Sequence, residues 1–201
     1  MAVSSPFVVA FVVGVTPGKW ARVWAERLPH VPLELRQLNP AEALSAVESG
    51  DADVALLRLP VDNAWHSAIR LYEEQPVVVA PKDHAIEAAD DVVLADLTDL
   101  LPDGDWTDQV ELIAANVGVA VMPQSVARAL SRKDVVVRPV TDAPTTTVAL
   151  VWPTARTTDL VDEFIGIVRG RSANSSRGVP TPPTPKPAKR PKPDRRPNRR
   201  R

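Results

Sequence analysis

The sequence predicts an α/β fold for residues 1–169. Three observations support this prediction. Hydrophobic residues make up 44% of the 201 positions, which is enough to fill the core of one or two domains. Short apolar runs bounded by Gly, Pro and Asn alternate with segments whose apolar residues recur at helical spacing. The first elements follow the order strand, helix, strand, helix, strand, which is typical of a parallel α/β sheet.

The first strand is predicted in residues 7–15, an almost entirely apolar run that Thr16-Pro17-Gly18 interrupts. No basic residue precedes the run and no small-residue cleavage site follows it, so it does not fit an export signal. A fully buried strand fits better. Residues 18–28 then carry apolar side chains at helical spacing, with Thr16 as the N-cap and Pro17 at the first helical position. Trp20 and Trp24 lie on the apolar face, which indicates core packing.

The second strand–helix unit follows directly. Residues 31–38 alternate between apolar and polar side chains and predict a strand. Asn39-Pro40-Ala41-Glu42 has the spacing of a capping box, with Asn39 as the cap and Glu42 at the third position. The helix that follows ends at Gly50.

The remaining elements are predicted from the same signals. Residues 81–105 are acidic and irregular, with a short helix near 94–100, and Thr107 is predicted to cap the next long helix. Further strands are predicted at residues 53–59, 75–80, 119–122, 135–140 and 146–152, and further helices at 107–117, 123–131 and from 157 or 158 to about 168.

The C-terminal segment, residues 170–201, is predicted to be a disordered, Pro-rich and basic tail. The net charge of −1 hides an asymmetry, because eleven of the 24 Lys and Arg residues lie in this segment beside a single acid, Asp194. The segment therefore carries a net charge of +10 and the rest of the chain −11. Such a segment cannot bury enough apolar surface to fold. Its candidate nucleic-acid contacts are Lys186, Lys189, Arg190, Lys192, Arg195, Arg196, Arg199, Arg200 and Arg201.

Catalytic, metal and cofactor sites are not predicted. The chain has no Cys, and its three His residues lie far apart beside turn residues, where ordinary surface or loop positions are expected. The first strand–helix turn lacks the G-x-G-x-x-G of a dinucleotide site, and no nucleophile-elbow motif occurs. No apolar stretch reaches the ~20 residues of a membrane-spanning helix. We therefore expect a cytoplasmic protein that is not an enzyme and needs no cofactor.

Four phrases of the sequence resemble one family in the order and spacing that this family shows. They are GVTPG (residues 14–18), SGDADVALLRLPVD (49–62), VVVAPKDHAI (77–86) and ELIAANVGVAVMPQSVAR (111–128). The chain thereby resembles the effector-binding domain of LysR-type transcriptional regulators, and residues 135–171 are similar to stand-alone actinobacterial forms of it. The resemblance implies the two-lobed type II periplasmic-binding-protein fold and side-by-side association into a homodimer.

Two departures from the family pattern bear on domain organisation. The resemblance starts within the first ten residues, so no helix-turn-helix is predicted. The second lobe is shorter than the family pattern between the segments that match Pro81 and Val110. The resulting prediction assigns residues 6–80 and 141–169 to lobe I and residues 81–140 to a trimmed lobe II.

The resemblance also implies where an effector would bind. Thr16 and Pro17 match the first strand–helix junction, and Asn39 and Pro40 match the second. Pro81 matches the crossover between lobes, and Val119 matches the returning strand. Arg58, with Leu59 beside it, is a candidate on its own chemistry, because a guanidinium near the end of the apolar run VALLRL needs a partner and a bidentate carboxylate suits it.

Alternatives remain open at these positions. Capping alone explains Thr16 and Asn39. An ion pair with an acid of the same chain explains Arg58 as well as an effector carboxylate does. The leading hypothesis is a regulator-like domain that binds a small anionic effector, with a tail that contacts DNA or RNA non-specifically. The second hypothesis is a structural or dimerisation module without a ligand, whose tail contacts nucleic acid or acidic partners.

Overall fold

A computed structural model describes residues 5–62 and 64–171. Within these residues the chain forms eight strands and five α-helices. In chain order they are β1 (Phe7–Phe11), α1 (Gly18–Arg27), β2 (Leu33–Gln37), α2 (Pro40–Ser49), β3 (Val54–Arg58), β4 (His66–Glu74), β5 (Pro76–Pro81), α3 (Trp106–Ala114), β6 (Ala120–Pro123), α4 (Gln124–Ala129), β7 (Val135–Pro139), β8 (Thr146–Pro153) and α5 (Asp159–Val168). Short 3₁₀ turns occupy Ala85–Ala88, Leu94–Asp96 and Thr154–Arg156. The predicted tail from residue 172 onward lies outside the described residues.

The first sheet contains five strands in the order β2-β1-β3-β8-β4. Strand β1 pairs in parallel with β2 and β3, which confirms the prediction for the first three strands. Strand β8 runs antiparallel to both β3 and β4, so the complete sheet is mixed. The mixed order arises because the chain leaves this sheet after β4 and returns to it only at β8.

The second sheet contains three antiparallel strands in the order β6-β5-β7. The strand predicted at residues 75–80 is β5, and it belongs to this sheet. The segment from Glu74 to Pro76 carries the chain from one sheet to the other.

The core of the first sheet is built around three aromatic rings from three elements. Phe7 of β1 stacks on Trp24 of α1 with ring centroids 4.5 Å apart, and Phe164 of α5 lies 5.5 Å and 5.9 Å from those two rings. The Trp24 indole Nε1 donates to the Val31 carbonyl at 2.9 Å, which satisfies its one polar atom. Trp20 and Trp24 are both buried, so their predicted role in core packing is confirmed.

The helix starts agree only in part with the predicted caps. The capping box of α2 is confirmed, because Asn39 Oδ1 accepts from Glu42 N at 2.8 Å and Glu42 Oε2 accepts from Asn39 N at 3.3 Å. The predicted Thr16 cap is wrong: Pro17 itself holds the N-cap position of α1, with φ −76° and ψ −4°, so Thr16 lies one residue outside the helix.

Three further elements differ from prediction. Helix α3 begins earlier than expected, because the Asp105 carboxylate caps it by accepting from Thr107 N at 2.7 Å. The short helix predicted near residues 94–100 is only the 3₁₀ turn Leu94–Asp96. Strand β4 has no counterpart among the predicted strands; it is an edge strand paired with β8, which lies some 80 residues later in the chain. Among the described residues, no helix has the length and apolar character needed to cross a bilayer.

Candidate functional site

A groove of about 990 Å³ lies where the end of β1 meets the second sheet. We call it the first groove. The β1–α1 turn lines one side through residues 13–20, and helix α4 with its following residues lines another through Ser125, Arg128, Ala129 and Leu130. The groove therefore lies at the carboxyl end of a parallel strand, where open α/β sheets commonly bind ligands.

A second groove of about 580 Å³ adjoins the first, and both contact Val13 and Gln37. Residues 37–42 at the start of α2 form one wall, and residues 104–107 at the start of α3 form the other. The predicted effector residues are thus divided between two grooves. Thr16 and Pro17 line the first, and Asn39 and Pro40 line the second.

The two grooves differ in charge. Among the described residues, the first is lined by two cations, Lys19 and Arg128, and by no acid. Within the same part of the chain, the second is lined by the carboxylates of Glu42 and Asp105 and by no cation. An anion is therefore favoured in the first groove and disfavoured in the second.

The Arg58 side chain lies between the two sheets in a buried ion pair with Glu74. Its Nε and Nη2 atoms donate to the two Glu74 carboxylate oxygens at 2.6 Å and 3.2 Å. The two side chains are only 9% and 3% exposed. Of the two interpretations that the sequence left open for Arg58, the structure therefore shows the internal ion pair.

The Arg58 guanidinium also contacts three elements near the groove floors. Its Nη1 donates to the Val13 carbonyl at 3.1 Å, in the turn that follows β1. Its Nη2 donates to Ser125 Oγ at 3.1 Å, and its Cζ atom lies 5.0 Å from the centroid of the Trp106 ring. Ser125 lines the first groove and Trp106 lines the second, so the buried pair contacts a lining residue of each groove.

The Tyr72 side chain reaches the first groove from β4. Partial burial raises the pKa of its hydroxyl above 10.0, and the nearby Glu74 carboxylate raises that pKa further while Arg58 opposes the shift. The phenol is therefore neutral at physiological pH and can donate a hydrogen bond.

The other predicted site residues do not line these two grooves. Leu59 is half-buried and packs against the core of the first sheet. Val119 is 1% exposed and belongs to the core of the second sheet. Pro81 lines a separate open groove of about 950 Å³ that also contains Lys82 and Lys133. These three positions keep their assignment only as sequence-based predictions.

One His residue departs from the expected surface or loop position. His66 begins β4 and is 5% exposed, with its Nδ1 atom 3.0 Å from the Asp62 carbonyl and its Nε2 atom 3.4 Å from Glu48 Oε1. The described residues contain no group of three or more His, Asp or Glu side chains arranged to hold a metal ion.

Sequence reasoning missed Lys19 and Arg128, the two cations of the first groove. Lys19 had a usable signal, because it is the third residue after Thr16 and lies in the first turn of the helix. Arg128 had no such signal in the sequence. Its position in the groove depends on how α4, beside the second sheet, packs against the β1–α1 turn of the first sheet.

Known proteins resemble this chain in both sequence and fold. The sequence matches the family described as LysR substrate binding domain over residues 16–101 and 104–173. In fold, the chain is similar to the effector binding domain of a BenM variant, with a TM-score of 0.70 and 16% identity over 83% of this chain and 94% of that one. It is also similar to the OxyR regulatory domain from Pseudomonas aeruginosa, with a TM-score of 0.65 and 19% identity over 85% of this chain and 99% of that one.

Two curated proteins share shorter stretches of sequence. The HTH-type transcriptional regulator ShiR of Corynebacterium glutamicum (strain R) is 41% identical over 80 residues, which is 39% of this chain and 26% of that protein. The probable hydrogen peroxide-inducible genes activator of Mycobacterium xenopi is 34% identical over 62 residues, which is 31% of this chain and 33% of that protein. The aligned stretch thus covers 26% of the first relative and 33% of the second.

Proposed function

The chain belongs to the LysR substrate binding domain family, and from this we propose that it binds a small anionic effector in the first groove and serves transcription regulation. The observation that carries the proposal is the charge of that groove, whose described lining contains Lys19 and Arg128 and no acid. The proposed setting is the cytoplasm, and the proposed assembly is a homodimer.

The predicted contacts around Thr16 and Pro17 enter this proposal in a modified form. Helix α1 begins at Gly18, directly beside the groove, and its first backbone N–H groups lack partners within the helix. With Thr16 outside the capping position, its hydroxyl is available to a ligand. An effector carboxylate would meet this helix start and the Lys19 and Arg128 side chains.

A panel of small carboxylic acids, screened by thermal melting at constant ionic strength, tests the proposal. A ligand that binds the native state raises the melting temperature in step with its saturation. Replacing Arg128 with Ala should weaken the binding of any hit about tenfold or more, because charge-assisted hydrogen bonds contribute about 1.5–3 kcal/mol. The same measurement applies to Lys19→Ala. Its matched control is Arg22→Ala, since Arg22 is exposed on the same helix and does not line the groove.

A panel in which no acid shifts the melting temperature of the wild-type chain would contradict the proposal. Equal affinity of a hit for the wild type and for the Lys19→Ala and Arg128→Ala variants would show that the acid binds elsewhere. The Arg58→Ala variant is expected to lose stability rather than effector affinity, because Glu74 already occupies its guanidinium.

The basic tail is proposed to contact DNA or RNA without sequence specificity. A net charge of +10 in residues 170–201 supports the proposal, and binding should weaken with salt at a slope of about −0.9 per phosphate contacted. Fluorescence anisotropy with generic duplex DNA, over a salt series, compares the full chain with a version ending at Gly170. Unchanged binding after truncation would contradict a role of the tail in nucleic-acid contact.

The alternative is a structural or dimerisation module without an effector. The internal Arg58–Glu74 pair favours it, because Glu74 occupies the guanidinium that an effector carboxylate would otherwise bind. Under this alternative the acid panel is flat while sedimentation still shows a dimer.

A further inference from the structure

The Glu74 carboxylate has a complete set of hydrogen-bond donors within the protein. Its Oε2 atom accepts from Arg58 Nε at 2.6 Å and from Thr146 Oγ1 at 3.3 Å. Its Oε1 atom accepts from Arg58 Nη2 at 3.2 Å and from Ser125 Oγ. An ionised carboxylate has about four acceptor positions, so each oxygen is satisfied without solvent.

The donors come from parts of the chain that are far apart in sequence. Arg58 ends β3, Thr146 begins β8, and Ser125 belongs to α4 beside the second sheet. Glu74, the last residue of β4, supplies only the acceptor. The three donors would therefore surround the same position if the Glu74 side chain were removed.

We propose that Arg58, Ser125 and Thr146 form a carboxylate-binding site that Glu74 of the same chain occupies, and that this occupancy fastens α4 to the first sheet. Ser125 also lines the first groove, so the two sites adjoin, but occupancy by Glu74 does not require the effector proposed there. It takes a small carboxylate whenever the internal one is absent.

The surroundings of the site limit its adjustment. The Arg58 Cζ atom lies 5.0 Å from the Trp106 ring centroid, and its Nη1 donates to the Val13 carbonyl at 3.1 Å. The start of α4 approaches the β1–α1 turn so closely that a Cβ atom on Gly14 would lie 2.6 Å from Ser125 Oγ. Because the donors are fixed, loss of Glu74 would leave a buried guanidinium without its anion, which is strongly unfavourable.

Chemical rescue of the full-length Glu74→Ala variant tests the site. The variant should have a lower melting temperature than the wild type, and sodium formate should restore it along a saturating curve. If formate binds with a Kd of about 10 mM, then about 200 mM formate would raise the folding equilibrium constant of the variant about 20-fold. Sodium chloride at the same ionic strength should give no such curve.

Two variants serve as matched controls. Glu73→Ala removes the neighbouring carboxylate, which is exposed, and should respond to formate as the wild type does. The double variant Arg58→Ala/Glu74→Ala lacks the main donor and should show no saturable rescue. Equal formate responses in Glu74→Ala, in the double variant and in the wild type would overturn the proposal. Failure of Glu74→Ala to fold with or without formate would also count against it.

Hydrogen exchange of the milder Glu74→Gln variant tests the fastening of α4. The side-chain amide that this substitution introduces donates where the carboxylate accepted, so it disturbs both Arg58 and Ser125. Amide exchange should accelerate in residues 124–129 relative to the wild type, while α2, which supplies no residue to the site, keeps its rate. Unchanged exchange in α4 would refute the fastening. Any binding of formate in the first groove appears equally in the wild type and in Glu73→Ala, so failure of the rescue is distinguishable from failure of the effector proposal.

Discussion

Substitution of Gly14 by Ala gives a sharp test of the junction between the two sheets. Gly14 has φ +86°, a left-handed conformation that L-residues rarely adopt. An added Cβ would lie 2.6 Å from Ser125 Oγ and 2.9 Å from both the Ser125 carbonyl carbon and the Val126 backbone nitrogen. The hydroxyl can rotate away, but the two backbone atoms cannot without moving α4.

The expected loss of stability has two parts. The left-handed backbone costs a residue with a Cβ about 1–2 kcal/mol, and forcing atoms into a close-packed junction costs about 1–3 kcal/mol. Together they predict a decrease of about 2–5 kcal/mol in the free energy of unfolding, out of the roughly 5–15 kcal/mol available to an ordinary domain.

Urea denaturation followed by Trp fluorescence measures this loss, with Gly18→Ala as the control. In the described part of the chain, a Cβ on Gly18 would have no atom within 4 Å apart from its chain neighbours and the backbone of its own helix, and Gly18 has no positive φ. Its replacement should therefore leave stability unchanged or raise it by about 0.4–1 kcal/mol. A Gly14→Ala midpoint equal to the wild-type midpoint would refute the inferred close approach of α4 to the β1–α1 turn.

Three further predictions concern the core, a helix cap and the single tyrosine. Phe164→Ala removes one of three packed rings and should lower the free energy of unfolding by about 3–5 kcal/mol; a loss below about 1 kcal/mol in urea titrations would contradict that packing. Asn39→Ala should cost about 1 kcal/mol, whereas Asn39→Asp retains the cap and should cost less, and equal losses would argue against the capping box. Because Tyr72 is the only Tyr, ultraviolet absorbance titrates it directly. Its pKa should lie above 10.0 and fall in Glu74→Gln; since the folded-state pKa is raised, stability should decrease as pH rises from about 10 through that value. A Tyr72 midpoint that is unchanged in Glu74→Gln would contradict the influence of that carboxylate.

The first half of the fold could be predicted because its signals are local. The capping box at Asn39 and Glu42, the left-handed Gly50 at φ +93° and the apolar run that begins at Phe7 each involve residues close in sequence. Such signals fix the order β1-α1-β2-α2-β3, and with it the parallel pairing of the first three strands.

Strand β4 and the partner of Arg58 could not be predicted in this way. Within the described residues β4 pairs only with β8, and its register shifts between Arg70 and Tyr72. A register shift breaks the simple alternation that would tell which side chains face inward. The inward position of Glu74 therefore depends on this irregular pairing, and sequence spacing alone leaves the partner of Arg58 open.

The charge of the first groove could not be predicted from local sequence features either. The sequence points to Thr16 because it belongs to a strand–helix junction, which is a local feature. Arg128 joins it only because α4 of the second sheet approaches that junction, and this approach requires the glycine at position 14.

The pairing of β4 with β8 determines how the chain is shared between the two sheets. Glu74 and Thr146 are direct partners across the two strands, and the whole second sheet lies between them in the sequence. The second sheet is therefore an insertion into the bend of a β-hairpin. Because antiparallel partners lie only about 4.5–5.5 Å apart, a two-residue Asn-Gly turn in place of residues 75–145 would reconnect the strands as an ordinary hairpin. A different domain could be inserted into the five-stranded sheet at the same two positions, after Glu74 and before Thr146.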